Sequence, residues 1–129
     1  MKSHLTITAT PLDEAELIGQ GRCPAAAGAV VRFVGVVRGT EDGRPIRGLE
    51  YETFQQMAEH QFERIFQEVE KRWPIESLRV AHRVGVVRAG EASLWVEVMA
   101  GHRGEAFAAC QFVIDEMKRV VPIWKKAVV

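Results

Sequence analysis

The sequence predicts an α+β fold with a mainly antiparallel sheet and flanking helices. Three observations carry that prediction. Several short segments alternate apolar and polar residues with the two-residue period of strands, and they come in neighbouring pairs. Two longer segments repeat apolar residues at three- and four-residue spacing, and each of them runs into a proline. At 129 residues, with 47% hydrophobic and 26% charged residues, the chain has the size and composition of one domain, residues 1–129, around a single core.

Residues 4–9 alternate like a strand. "TPLDEAELIGQG" follows as a short helix, with Thr10 as its expected N-cap and Pro11 at its first position. "RCPAAAG" reads as a linker. "AVVRFVGVVRG" is a β-branched strand in which Gly35 marks a bulge or a close backbone approach. "GTEDGRP" is turn-rich and "IRGLEYETF" returns as a strand, which predicts a hairpin with a polar tip. From Gln55 to Arg72 the period becomes helical, with Ala58, Phe62, Ile65, Phe66, Val69 and Trp73 on one face and Pro74 as the stop. "SLRVAHRVGVV" and "ASLWVEVMAG" read as two further strands joined by the turn at "RAGE". A last helix from about Gly104 to Val120 puts Ala106, Cys110, Val113, Met117 and Val120 on one side, and Pro122 ends it.

The totals exclude several functions. Seventeen basic residues balance seventeen acidic ones, so no global field favours nucleic acid or a membrane surface, and any anion site must be a local cluster. Cys23 and Cys110 lack metal-ligand spacing, and Cys110 falls among the apolar residues of a helix, as a small core residue would. His4, His60, His82 and His102 also show no metal spacing, so no metal is expected, and the glycines of "GTEDGRPIRG" lack the strand–glycine-loop–helix order of a dinucleotide cofactor site. "MKSHLTITAT" lacks the apolar region of a signal peptide, and no apolar run approaches the ~20 residues that span a bilayer, so the expected location is the cytoplasm.

Three places concentrate groups that can hold an anion or move a proton. Arg38 ends the strand "RFVGVVR" beside a glycine loop and can project into a cleft, unless it is simply solvated at a turn. His102 and Arg103 precede the last helix, where free backbone N–H groups, the helix dipole and a guanidinium together suit a phosphate. His82-Arg83 looks like the same pair but lies mid-strand, with one residue facing the core and the other solvent, and is set aside. The third place is the ending "MKRVVPIWKKAVV". Lys118 sits in the last helical turn, where the dipole alone favours a cation, and Lys125 and Lys126 follow Trp124, which is expected to be buried and to hold one of them. A lysine near other cations and partly out of water can act as acid, base or nucleophile. The run from Gly104 to Lys118 is about 21 Å long at ~1.5 Å per residue. His102-Arg103 and Lys118 of one chain therefore cannot share one small-molecule site, but a two-fold dimer could bring them together.

Taken together, "GAVVRFVGVVRG", "LEYETFQQMAEHQFERIFQEVEKRWPI" and the stretch from "VAHRVGVV" to "VPIWKK" resemble the family of molybdopterin synthase catalytic (large) subunits, in unbroken register over roughly Gly28 to Lys126. The G-x-V-R loop, the H-R-x-x-A-F helix start and the K-x-x-x-P-x-W-K tail carry the resemblance jointly. It implies an α/β hammerhead-type fold and a sulfurtransferase of molybdenum cofactor biosynthesis. Sulfur would come from the thiocarboxylated C-terminus of a small ubiquitin-like sulfur-carrier subunit and pass to cyclic pyranopterin monophosphate, forming the molybdopterin dithiolene. The implied assembly is a heterotetramer around a central homodimer with shared active sites. The implied substrate-binding positions are Val36, Val37, Arg38, His102, Arg103, Lys118, Lys125, Lys126 and Ala127, with Lys118 and Lys125 catalytic and the His102-Arg103 pair reaching in from the neighbouring subunit.

The chain departs from the family pattern at Ala127, where a glutamate is usual, and in stopping at Val129, where the family commonly continues with further basic residues. Without a carboxylate beside Lys125, binding is expected to survive better than turnover. The alternative this supports is a non-catalytic homologue that keeps the dimer and small-subunit contacts. A nucleic-acid-binding module lacks the basic stripe with interleaved aromatics that it would need.

Overall fold

In a computed structural model, which describes residues 1–129, the strands form two main sheets and a two-stranded ribbon, and helices cover one face of the larger sheet. That larger sheet has the order β1 (Lys2–Thr8), β6 (Ile75–Arg83), β8 (Ala92–Ala100), β2 (Ala29–Val36). β8 pairs antiparallel with both neighbours, and β1 adds to β6 in parallel. The smaller sheet has the order β7 (Gly85–Arg88), β5 (Gly48–Thr53), β9 (Ile123–Val128), all antiparallel. A two-residue ribbon, β3 (Thr40–Glu41) and β4 (Arg44–Pro45), turns at Asp42-Gly43. The helices are α1 (Glu14–Gly19), α2 (Gln55–Arg72) and α3 (Arg103–Val120).

Strand alternation sorts β8 into two faces. Leu94, Val96, Val98 and Ala100 join Leu78 and Val80 of β6 beneath α2 and α3. The helices meet them with Phe62, Ile65, Phe66 and Val69 from α2, and Ala106, Cys110, Val113 and Met117 from α3. Each large side chain buried there contributes about 1.5–3 kcal/mol. Cys110 belongs to this core, and burial pushes its thiol pKa up. The opposite face of β8 carries Trp95, Glu97 and Met99, all buried. There Glu97 accepts from Arg32 Nε at 2.8 Å and from Arg79 Nε at 2.9 Å, its register partners on the two flanking strands.

Several sequence expectations are corrected. The cap of α1 is Asp13, whose side chain accepts from the Glu16 N–H, so Thr10 and Pro11 precede the helix. The expected hairpin between the strands at Ala29 and Gly48 does not form. β2 pairs instead with β8, whose apolar face matches its own, and β5 goes to the other sheet. "SLRVAHRVGVV" is two strands, because Gly85 at φ +83° lets the chain leave β6 and enter the smaller sheet as β7. The tail is a strand rather than a loose end, since β5 offers β9 an open edge. Trp124 is 52% exposed, not buried, and rests edge-on against Phe54 with ring centres 5.1 Å apart. The irregularity expected at Gly35 is present, as a register shift between Gly35 and Val36 against β8.

The smaller sheet is held by Val37, Leu49 and Val87, with Ile46 and Tyr51 packed on them. Its closest approach is at Gly48, where a Cβ would collide with the Val87 carbonyl oxygen and crowd the Arg88 Cα at 3.0 Å. Gly48→Ala should therefore cost about 1–3 kcal/mol, as forced overpacking does. Urea unfolding should show a lower midpoint with an unchanged slope, and Gly19→Ala, which meets only open space, should leave the midpoint alone.

Candidate active site

β2 and β6 both run antiparallel to β8, so their C-terminal ends emerge at one edge, beside the start of β8. β2 continues there into Val36, Val37 and Arg38, and β6 delivers His82. The end of α3 brings Met117 and Lys118 to the same edge, and Pro122 lets the chain double back as β9 with Ile123 and Lys125. Tyr51 of β5 and Glu41 of β3 close the far side. These residues line one cavity of about 710 Å³ where the two sheets meet. That volume suits a small molecule with most of its surface enclosed.

The sequence-derived residues divide between those that line this cavity and those that do not. Val36, Val37, Arg38, Lys118 and Lys125 line it. Val36 is 52% exposed and forms rim. Val37 is wall, because its side chain is buried, its N–H donates to the Glu91 carbonyl at 3.0 Å, and its own carbonyl accepts from the Gly90 N–H at 2.8 Å. The bulge before Val36 turns the strand so that Arg38 faces the cavity. Arg38 and Lys118 have no carboxylate within ion-pair distance, and Lys125 has Glu41 at 4.0 Å.

Lys126 lies on the other face of β9 from Lys125 by strand alternation, and neither it nor Ala127 lines the cavity. His102 and Arg103 are exposed at the start of α3, with Lys118 in its last turn. Fifteen helical steps separate Arg103 from Lys118, about 22 Å at ~1.5 Å each. Within one chain the two groups stay apart.

Sequence reasoning missed His82, Tyr51 and Glu41 as cavity residues. The signal for His82 was available. Leu78, Val80 and His82 occupy alternate positions of β6, opposite Val98, Val96 and Leu94, so His82 continues the core face to the mouth of the cavity. It is 4% exposed, packs edge-on against Tyr51 at 5.2 Å, and its Nδ1 lies 2.7 Å from the Arg83 carbonyl oxygen. A carbonyl only accepts, so Nδ1 carries the proton and the neutral ring keeps its lone pair on Nε2. Burial lowers the pKa of His82, partly opposed by that backbone hydrogen bond.

Three cations, Arg38, Lys118 and Lys125, thus face one carboxylate, Glu41, in a protein whose total charge is zero. A second groove, of about 560 Å³ between α2 and α3, is walled by Arg64, Glu68, Arg72, Glu116 and Arg119. Both of its carboxylates are already paired within their own helices, Glu68 with Arg72 and Glu116 with Arg119, as on a solvated helix face. No three His, Cys, Asp or Glu side chains converge as a metal site, and no helix is long and apolar enough to cross a membrane.

Residues 7–120 match the family model described as MoaE protein. The molybdopterin synthase catalytic subunit of Thermoplasma volcanium is 38% identical over 126 residues, covering 98% of this chain and 91% of the relative. Among solved structures, molybdopterin synthase from Staphylococcus aureus superposes with a TM-score of 0.87 at 31% identity, covering 95% of this chain and 89% of the other. A protein-protein complex of subunits 1 and 2 of molybdopterin-converting factor from Helicobacter pylori 26695 contains a chain that superposes with a TM-score of 0.80 at 28% identity, covering 96% and 88%.

Proposed function

The chain belongs to the MoaE family, and on that premise we propose that it is the large subunit of a cytoplasmic molybdopterin synthase, working as a sulfurtransferase. It moves sulfur from the thiocarboxylated C-terminus of a small ubiquitin-like carrier to cyclic pyranopterin monophosphate, building the dithiolene of molybdopterin. The observation that carries this reading is the convergence of Arg38, Lys118 and Lys125, from the turn after β2, the last turn of α3 and β9, on one cavity. A cyclic phosphate and a thiocarboxylate are both anions, and a local cationic cluster in a neutral protein suits them.

Each cation has a task. Arg38 can grip phosphate oxygens through two N–H donors. Lys118, at the inner end of α3, stabilises the oxyanion that forms when the carrier's acyl carbon becomes tetrahedral. Lys125 adds positive potential and orients the pterin. The carboxylate missing at position 127 has a substitute in Glu41, which approaches Lys125 from β3, and this favours an active enzyme over a non-catalytic homologue. Lys126 and Ala127, which lie outside the cavity on β9, are left to contact the carrier subunit and not the pterin.

The phosphate site is completed by His102 and Arg103 of a second copy. β2 has a strand neighbour on one side only, and Phe33 on it is 36% exposed, with Phe107 on α3 61% exposed. A two-fold contact along that face sets the α3 helices antiparallel, bringing each helix start towards the other's Lys118. Reconstitution tests the reading: this chain, a thiocarboxylated small subunit and the pyranopterin precursor should yield molybdopterin, detected as its fluorescent oxidation product. No product from an intact complex would sink the enzyme. Site sharing has its own test, because Arg103→Ala and Lys118→Ala chains, each inactive alone, should regain about one working site per mixed dimer. No recovery on mixing would leave the sites unshared.

A further inference from the structure

We propose that His82 is the general base that activates the water needed to release the carrier subunit from the transferred sulfur. The proposal rests on the sulfur-transfer reading and adds a residue to it. When thiocarboxylate sulfur bonds to a pterin carbon, the sulfur is still bonded to the carrier's acyl carbon. Freeing it takes one water. The water oxygen adds to the acyl carbon as its proton passes to Nε2 of His82. The tetrahedral adduct then collapses, the carbon–sulfur bond to the acyl group breaks, and its electron pair stays on sulfur as a pterin thiolate. The carrier leaves as a carboxylic acid that ionises to carboxylate, and the imidazolium returns its proton to solvent. No oxidant or reductant is involved.

The other polar groups of the cavity are poor candidates for this task. Arg38, Lys118 and Lys125, as cations, donate hydrogen bonds and offer no lone pair. The Glu41 carboxylate lies beside Lys125 on the exposed β3–β4 side, the Tyr51 phenol is a weak acceptor, and the Ser93 hydroxyl donates to the Gly35 carbonyl and is no base at neutral pH. His82 differs from all of them. Its Nδ1–H is anchored to the Arg83 carbonyl, its ring is braced by Tyr51, and Nε2 has no partner in the protein. What little of the residue is accessible opens on the cavity. A base whose second nitrogen is fixed by a backbone carbonyl has the tautomer and orientation that proton abstraction requires. Burial favours the neutral ring, so Nε2 stays free to accept a proton at neutral pH even with Arg38, Lys118 and Lys125 lining the same cavity.

Two substitutions separate chemistry from architecture. His82→Asn puts an amide N–H near the position of Nδ1, keeping the bond to the Arg83 carbonyl while removing Nε2. His82→Gln puts a non-basic amide near the position of Nε2. With thiocarboxylated small subunit and cyclic pyranopterin monophosphate, both should turn over about 10²–10⁴-fold more slowly, the range for loss of a general base. Mass spectrometry should show a covalent carrier–pterin adduct accumulating. The wild-type rate should fall at acid pH as His82 protonates, and that limb should vanish in both variants. A variant within about threefold of wild type, or a slow one with no adduct and the acid limb intact, would overturn the assignment. Failure of the wild type to make product would instead defeat the underlying reading, so the two failures are distinguishable.

Discussion

Lys118→Ala is expected to abolish molybdopterin formation while leaving the fold and the carrier complex intact. Lys118 is exposed in the last turn of α3 and takes part in no ion pair, so its removal exposes no core and orphans no partner. It lines the same cavity as Arg38 and Lys125. Removing one oxyanion-stabilising donor typically costs about 10²–10³ in kcat, and on the proposed sulfur-transfer reading Lys118 would also neutralise the thiocarboxylate, so a loss of at least about 10³-fold is expected. The thermal midpoint should move little. Arg119→Ala is the matched control, since Arg119 neighbours it in sequence but pairs with Glu116 at 2.7 Å on the outer groove. That variant should keep near-normal rates. Near-normal turnover by Lys118→Ala would remove Lys118 from the chemistry.

The helices were legible because their information is local. Phe62, Ile65, Phe66 and Val69 recur on one face of α2, and each is buried there. Which strand pairs with which is non-local, and the expected hairpin failed on that account. A local reading joins β2 to β5 through a turn-rich loop, yet the apolar partner for Val31 and Phe33 is β8, sixty residues further along, at Val98 and Val96. The tail shows the same limit. "IWKKAV" carries no strand signal of its own and becomes β9 because β5 leaves an edge open. Once it is a strand, alternation sends Lys125 and Trp124 to opposite faces, which is why Trp124 is half-exposed. Arg38, Lys118 and Lys125 were readable as candidates from charge and position. His82 was discarded for lying mid-strand, when its polar ring on the core side of an apolar strand was itself the anomaly worth following.

The largest loss of stability should come from Glu97, a residue outside the cavity that governs its walls. Glu97 is fully buried and joins Arg32 of β2 to Arg79 of β6 through β8, each pair lying directly opposite in register. Those two strands end at the Val36–Arg38 turn and at His82, so one carboxylate fixes the relative slide of both cavity edges. Glu97→Leu would strand two guanidinium groups. Arg32 is 36% exposed and can turn to water, but Arg79 is 14% exposed, lies over the Trp95 ring at 4.9 Å, and already has a buried Nη2 without a partner. Removing one member of a buried ion pair costs about 3–5 kcal/mol, and the exposure of Arg32 favours the lower end. At roughly 4 °C per kcal/mol for a chain of this size, the thermal midpoint should fall by about 12 °C. The diagnostic is the double variant. Arg79→Leu with Glu97→Leu removes the stranded charge, and it should be more stable than Glu97→Leu alone. If instead the two losses simply add, the penalty lies in packing around position 97 and not in an uncompensated buried cation.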